Sequence, residues 1–193
     1  LNFINNLFKE KINKKEIQFL ITKSRLMNNL NLSLNISKRL LEVFPQDNKL
    51  QSDILGLLRE TSNINEALKF GKKYNNSSQA DEDFYINYGS LHFDLGNLKE
   101  ASSLHNIAIK INPNSETAHL NLGAIYKEQG FLKKAENETK LALSLNPNIE
   151  NGYYNLATIL QDLGDSGEAL KIALELRDKY TDSAKIETLL ANI

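Results

Sequence analysis

The sequence contains no cysteine. Without thiols the chain cannot form disulfides, thiolate zinc sites or a cysteine nucleophile, and such a composition is typical of a reducing compartment. No apolar run approaches the roughly 18 residues that a membrane-spanning helix needs. Residues 1–15 also lack the basic start, the continuous apolar stretch and the cleavage site of a signal peptide. We therefore expect a cytoplasmic protein that has no membrane partner.

Catalytic and cofactor-binding patterns are equally scarce. The three histidines, His92, His105 and His119, are never three or four residues apart, the spacing that would place two metal ligands on one helix face. The turn that contains Gly164 and Gly167 lacks the following lysine of a phosphate-binding loop. The 23 basic residues are balanced by 24 acidic ones and are not interleaved with aromatic residues that could stack on bases. We expect no enzyme activity, no cofactor, no metal and no nucleic-acid partner.

What the sequence does contain is a period of 34 residues. The same small residues and prolines recur 34 residues apart. The first copy contains Gly89, Ala101, Ala108 and Pro113, and the second contains Gly123, Ala135, Ala142 and Pro147. A third copy continues with Ala157 and Ala169. Small residues at fixed offsets in such a period are typical of a helix-turn-helix unit that stacks on copies of itself. Because one unit cannot bury its apolar face alone, the pattern predicts an all-α solenoid.

The period also predicts where the parts of the chain begin and end. We expect three clear repeats over residues 82–183, two degenerate repeats over 14–81, an N-terminal capping helix or repeat remnant over 1–13, and a capping helix or the start of a further repeat over 184–193. Within the fourth repeat, helices are predicted over about 117–129 and 132–145. Gly130 should take the left-handed conformation between them, and Pro147 should end the second helix.

We number each repeat from its first residue and call these positions places. In the three repeats over residues 82–183, place 4 is aromatic or histidine, place 8 is glycine or alanine and place 20 is alanine, as in Tyr85, Gly89 and Ala101. Place 32 is proline in two of them, as Pro113 and Pro147. This pattern resembles the tetratricopeptide repeat family. The resemblance implies a right-handed α-solenoid of stacked repeats that serves as a scaffold for protein–protein interaction.

The resemblance also implies a binding surface, the concave groove lined by places 2, 5, 6, 9, 12 and 13 of each first helix. Place 6 holds Asn87, Asn121 and Asn155, which the period would align as a ladder; an amide can bind both the N–H and the C=O of an extended peptide. An asparagine there can instead support the repeat itself. The other candidate groove residues are Ile86, Phe93, Leu120, Lys127, Tyr154 and Gln161. The cations with which some family members clamp a C-terminal carboxylate are missing from these places.

These observations predict a non-catalytic interaction module that binds an extended peptide or a partner helix in the concave groove, so the expected partner is a protein or a peptide. The alternative is a substrate-recruiting or oligomerising arm of a larger enzyme, such as a transferase, whose catalytic domain lies outside this chain. Self-association through the end helices is a third candidate. The residues of the repeats do not separate the first two, because the same groove would serve both.

Overall fold

The computed structural model describes residues 14–75, 80–179 and 184–193, so the helix predicted within residues 1–13 lies outside the described part. The described residues form eleven α-helices and no strand. The predicted all-α helical-repeat fold is confirmed. The helices are α1 (Lys14–Leu26), α2 (Leu30–Val43), α3 (Asn48–Glu60), α4 (Ile64–Tyr74), α5 (Glu82–Asp94), α6 (Leu98–Ile111), α7 (Glu116–Glu128), α8 (Leu132–Leu145), α9 (Glu150–Asp162), α10 (Ser166–Lys179) and α11 (Ala184–Asn192).

The helix starts follow the 34-residue period through the whole described chain. The odd-numbered helices, here called first helices, begin at Lys14, Asn48, Glu82, Glu116, Glu150 and Ala184. The second helices begin at Leu30, Ile64, Leu98, Leu132 and Ser166. The helical hairpin therefore persists in residues 14–75, where Ile21 and Leu55 stand at the place of Gly89 and Gly123.

The turn inside each hairpin contains one residue in the left-handed backbone conformation. Gly130 has a φ of 77°, as predicted, and Gly96 and Gly164 have φ values of 74° and 83°. In the degenerate repeats the same place holds Asn28 and Ser62, with φ values of 54° and 57°. This conformation is unfavourable for residues with a Cβ atom and least so for asparagine and aspartate, so the two early turns keep the geometry without the preferred residue.

The ends of the helices have local causes. The side chains of Asp47 and Ser115 accept hydrogen bonds from the Leu50 and Ala118 amides, which caps α3 and α7. Asp81 caps α5 in the same way, accepting from the Phe84 amide at 2.9 Å. The helices α6 and α8 end at Ile111 and Leu145, two residues before the prolines of place 32, as predicted.

The described chain divides into two compact units, Leu1–Leu91 and His92–Ile193, and the division falls inside α5. In the first unit α1 packs on α2, α2 on α3 and α3 on α4. In the second unit α6 to α11 do the same, and α9 also contacts the first helices α7 and α11. The second unit has a hydrophobic core, here called the second core. Its C-terminal part is built from the buried side chains of Leu156, Leu160, Ile172, Leu176, Ile186 and Leu189.

The helices α7 and α8 approach each other closely at Gly123. A Cβ atom on Gly123 would lie 2.4 Å from Thr139 Oγ1 and 3.2 Å from the carbonyl oxygen of Ala135. Ala135 itself is fully buried. The small residues of the repeat therefore set the distance between the two helices of the hairpin.

No helix in the part of the chain that the structure describes is long and apolar enough to cross a bilayer.

Candidate functional site

All nine predicted groove residues lie on first helices, and all nine are partly exposed rather than buried in the core. In the first unit these are Ile86 and Asn87 on α5. The second unit contains Phe93 at the end of α5, Leu120, Asn121 and Lys127 on α7, and Tyr154, Asn155 and Gln161 on α9. The helices α7 and α9 are in contact, so the sets that they carry lie on neighbouring first helices.

Asn87 is engaged within the protein. Its Nδ2 donates to the carbonyl oxygen of Ser52 at 3.0 Å, which joins α5 to the preceding first helix, α3. Gly56 on α3 leaves room for this amide, since a Cβ on Gly56 would lie in tight contact with Asn87 Nδ2, at 3.3 Å. At this repeat the asparagine supports the stacking of the repeats, the second of the two roles that the sequence left open. The Oδ1 acceptor of Asn87 makes no hydrogen bond with any residue of the described ranges.

A polar network that the sequence did not reveal surrounds this contact. The Ser52 hydroxyl contacts both the Asn48 carbonyl oxygen, at 3.0 Å, and the capping carboxylate of Asp81. Lys49 Nζ lies 2.9 Å from Asp83 Oδ2 and 3.4 Å from Asp53 Oδ1. The hydrogen bond to Asp83 raises the pKa of Lys49 against the opposing effect of burial. The lysine is therefore shared by two carboxylates on two successive first helices.

Asn155 occupies the same place as Asn87 but has a different environment. It is partly exposed, and its side chain makes no hydrogen bond with another residue of the described chain, although its backbone carbonyl accepts from the Thr158 hydroxyl at 2.9 Å. Next to it, Tyr154 packs partly buried against the second core. This amide can offer both its donors and its acceptor to a bound molecule.

The residues at place 12 bind the next first helix. Lys127 Nζ on α7 lies 3.5 Å from Asp162 Oδ2 on α9, and Gln161 Nε2 on α9 donates to the Asn192 carbonyl oxygen at the end of α11. The first unit shows the same arrangement, with Arg25 Nη2 3.2 Å from Glu60 Oε1. The predicted groove cation Lys127 is thus neutralised by a carboxylate of the following repeat. A repeating acidic residue at place 13, in Glu60, Asp94, Glu128 and Asp162, is the sequence signal that could have revealed these contacts.

The histidines are part of the packing. His105 is fully buried. Burial lowers the pKa of His92, while the negative charge of Glu100 acts in the opposite direction. His119 is buried with Nδ1 2.7 Å from Glu138 Oε2 and Nε2 3.0 Å from the Pro113 carbonyl oxygen. Tyr85, at the same place one repeat earlier, similarly donates its hydroxyl to the Asn75 carbonyl at 2.8 Å. Within the described ranges, no three histidines or carboxylates come together in a group that could hold a metal ion.

The fold and the candidate groove define an α-helical repeat protein whose predicted groove residues lie on the first helices α5, α7 and α9. Two family profiles match the chain, one described as TPR repeat over residues 89–130 and one as tetratricopeptide repeat over residues 116–149. The chain belongs to the tetratricopeptide repeat family, whose repeats mediate protein–protein interaction. Comparison with curated proteins finds no match.

Solved structures share the fold. The tetratricopeptide repeat protein TTC0263 of Thermus thermophilus superposes with a TM-score of 0.76 at 21% identity, over 93% of this chain and 98% of its own. MamA gives a TM-score of 0.69 at 21% identity, over 83% and 96%. YrrB, described as a tetratricopeptide repeat protein with an unusual peptide-binding site, gives 0.68 at 16% identity, over 96% of each chain. At these identities the likeness concerns the fold.

Proposed function

We propose that this protein is a non-catalytic interaction module that binds an extended peptide or a partner helix along the concave face of its first helices. In the second unit this surface, which we call the α7–α9 groove, comprises Leu120, Asn121, Lys127, Tyr154, Asn155 and Gln161. The observation that carries the proposal is the side-chain amide of Asn155. It is partly exposed, stands in the register of Asn87, and has no hydrogen bond with any other described side chain or backbone group.

The chemistry of the groove favours recognition of a peptide backbone. An amide such as that of Asn155 can donate to a peptide carbonyl and accept from a peptide N–H. Leu120 and Tyr154, each one residue before a ladder asparagine, offer partly exposed apolar surface beside the amides. Removing such surface from water stabilises binding by about 25 cal/mol per Å² before the costs of association. The peptide-binding site named for YrrB, which shares the fold, also supports the proposal.

The electrostatics of the groove also favour recognition of a peptide backbone. Lys127 is paired with Asp162, so the groove presents no unpaired lysine that would hold a C-terminal carboxylate. Hydrogen bonds to the backbone and apolar contacts would then contribute most of the affinity. Such binding tolerates variation in the side chains of the peptide.

The test is to select peptides from a random display library on the immobilised full chain and to measure their affinity for two matched variants. Asn155→Ala removes the groove amide, and Asn137→Ala removes an exposed amide from the second helix α8. We expect the first variant to weaken binding about fivefold to tenfold, the loss of one or two hydrogen bonds, and the second to bind as the wild type does. Circular dichroism checks that both variants fold. Equal affinity of the two variants for every selected peptide would contradict the proposal.

A further inference from the structure

A carboxylate recurs at place 13 of four successive repeats, as Glu60, Asp94, Glu128 and Asp162. Where the structure shows its partner, that partner is the cation at place 12 of the preceding repeat, 35 residues earlier in the chain. Arg25 pairs with Glu60 at 3.2 Å in the first unit, and Lys127 pairs with Asp162 at 3.5 Å in the second. Two ion pairs in separate parts of the chain thus have the same spacing, in which a cation at place 12 pairs with the carboxylate at place 13 of the next repeat.

Glu128 breaks this rule. The residue 35 positions before it is Phe93, which cannot form an ion pair. Glu128 is exposed, and it has no ion pair or hydrogen bond from its side chain to any residue in the part of the chain that the structure describes. The adjacent turns of the chain supply no substitute, because the residues three and four positions away on either side are Ala124, Ile125, Phe131 and Leu132.

Phe93 brings a second property to this place. Its ring is only partly buried, and no other aromatic ring or cation of the described chain contacts it. The register of the two observed pairs would place Phe93 beside Glu128 within the second unit. An aromatic face and a carboxylate together attract a cation, the ring through its quadrupole and the carboxylate through its charge. The competing internal cation, Lys127, is held by Asp162.

We propose that Phe93 and Glu128 form a subsite for one lysine or arginine side chain of the peptide bound in the concave groove. The basic side chain takes the place that Arg25 and Lys127 occupy in the other two pairs, with its aliphatic part on the Phe93 ring and its charge on Glu128. This inference rests on the proposed function. It adds a partner chemistry to it, an extended peptide that carries a basic residue at a fixed distance from the segment bound by Asn155.

The experiment uses peptides selected on the full chain from a random display library, and synthetic pairs in which the selected basic residue is replaced by glutamine. Three variants are compared with the wild type. Glu128→Gln removes the charge with little change of shape, and Phe93→Lys supplies an internal cation in the register of Lys127 and Asp162. Glu175→Gln removes one negative charge from an exposed place on the second helix α10 and serves as the control.

We expect the wild type and the Glu175→Gln variant to bind the basic peptide about tenfold more tightly than its glutamine counterpart. Glu128→Gln and Phe93→Lys should bind both peptides equally. If peptides that depend on Asn155 show no basic preference, or a preference that survives Glu128→Gln, this inference is wrong and the proposed function stands. If no selected peptide depends on Asn155, the proposed function fails, and the inference fails with it.

Discussion

The side-chain Nδ2 of Asn87 donates to the backbone carbonyl of Ser52 at 3.0 Å, so the asparagine of one first helix is tied to the first helix before it. Asn155 stands at the same place two repeats later, and its amide has no such bond within the described chain. A residue that recurs with the period therefore has two environments. At one repeat it holds the stack together, and at the other it is available to a partner.

Stability should separate these two asparagines. Asn87→Ala removes the side-chain donor to the Ser52 carbonyl, and we expect it to lower the free energy of unfolding by about 0.5–1 kcal/mol, the loss of the bond less the gain in helix propensity. Asn155→Ala removes no internal hydrogen bond and introduces a better helix former, so stability should stay equal or rise by a few tenths of a kcal/mol. Urea unfolding followed by circular dichroism measures both. Equal losses in the two variants would show that the bond to Ser52 contributes nothing.

The left-handed turn residues give a second prediction. Ser62 is exposed, and its φ of 57° is unfavourable for a residue with a Cβ atom. Ser62→Gly should raise the free energy of unfolding by about 0.5–1 kcal/mol, the relief of strain less the greater entropy loss of glycine. The reverse change at the equivalent turn, Gly130→Ser, should lower it by a similar amount. A gain from Gly130→Ser in thermal unfolding would be inconsistent with the assigned turn geometry.

The contact between α7 and α8 gives a third prediction. Gly123→Ala places a methyl group 2.4 Å from Thr139 Oγ1 and should cost about 1–3 kcal/mol of stability. Thr139→Ala removes the atom that clashes, and because Thr139 Oγ1 is buried without a hydrogen-bond partner among the described residues, no bond is lost with it. The cost of Gly123→Ala should therefore be smaller in the Thr139→Ala background. A double-mutant cycle measures this coupling, and strictly additive effects would contradict it.

Stability at low pH should depend on Glu136. This buried carboxylate accepts from Lys140 Nζ at 2.7 Å and from Lys133 Nζ at 3.0 Å, and these bonds hold its pKa below the usual range of a glutamate. A depressed pKa contributes stability above the unfolded value of about 4.3, and this contribution is lost as the pH falls through the folded value.

The variant Glu136→Gln should accordingly lose less stability than the wild type between about pH 6 and pH 3. The effect should be about 1 kcal/mol or less, since both lysines are largely exposed. The exposed substitution Glu175→Gln provides the matched control for the loss of one carboxylate. Parallel pH profiles of wild type and Glu136→Gln in urea unfolding would exclude this role.

The sequence predicted the fold closely because the period fixes the helices. The second helix of the fourth repeat occurs at Leu132–Leu145 as expected, and the first begins one residue before the predicted start. The left-handed Asn28 and Ser62 escaped prediction because neither residue marks a turn as clearly as glycine does. The bond from Asn87 to Ser52 and the pair of Lys127 with Asp162 join different repeats, so the consensus of a single repeat does not show them. The carboxylate that recurs at place 13 signals the second contact only when successive repeats are compared.

The central claim is that the α7–α9 groove binds an extended peptide, and nitrogen–proton correlation spectra of the full chain test it most directly. Titration with a peptide selected by display should shift the side-chain amide signals of Asn155 and the backbone amides of Leu120 and Lys127. The side-chain signals of Asn137, on α8, should stay in place. Shifts confined to Asn137 and the second helices, with Asn155 unchanged at saturation, would contradict the account and place the binding surface on the opposite face.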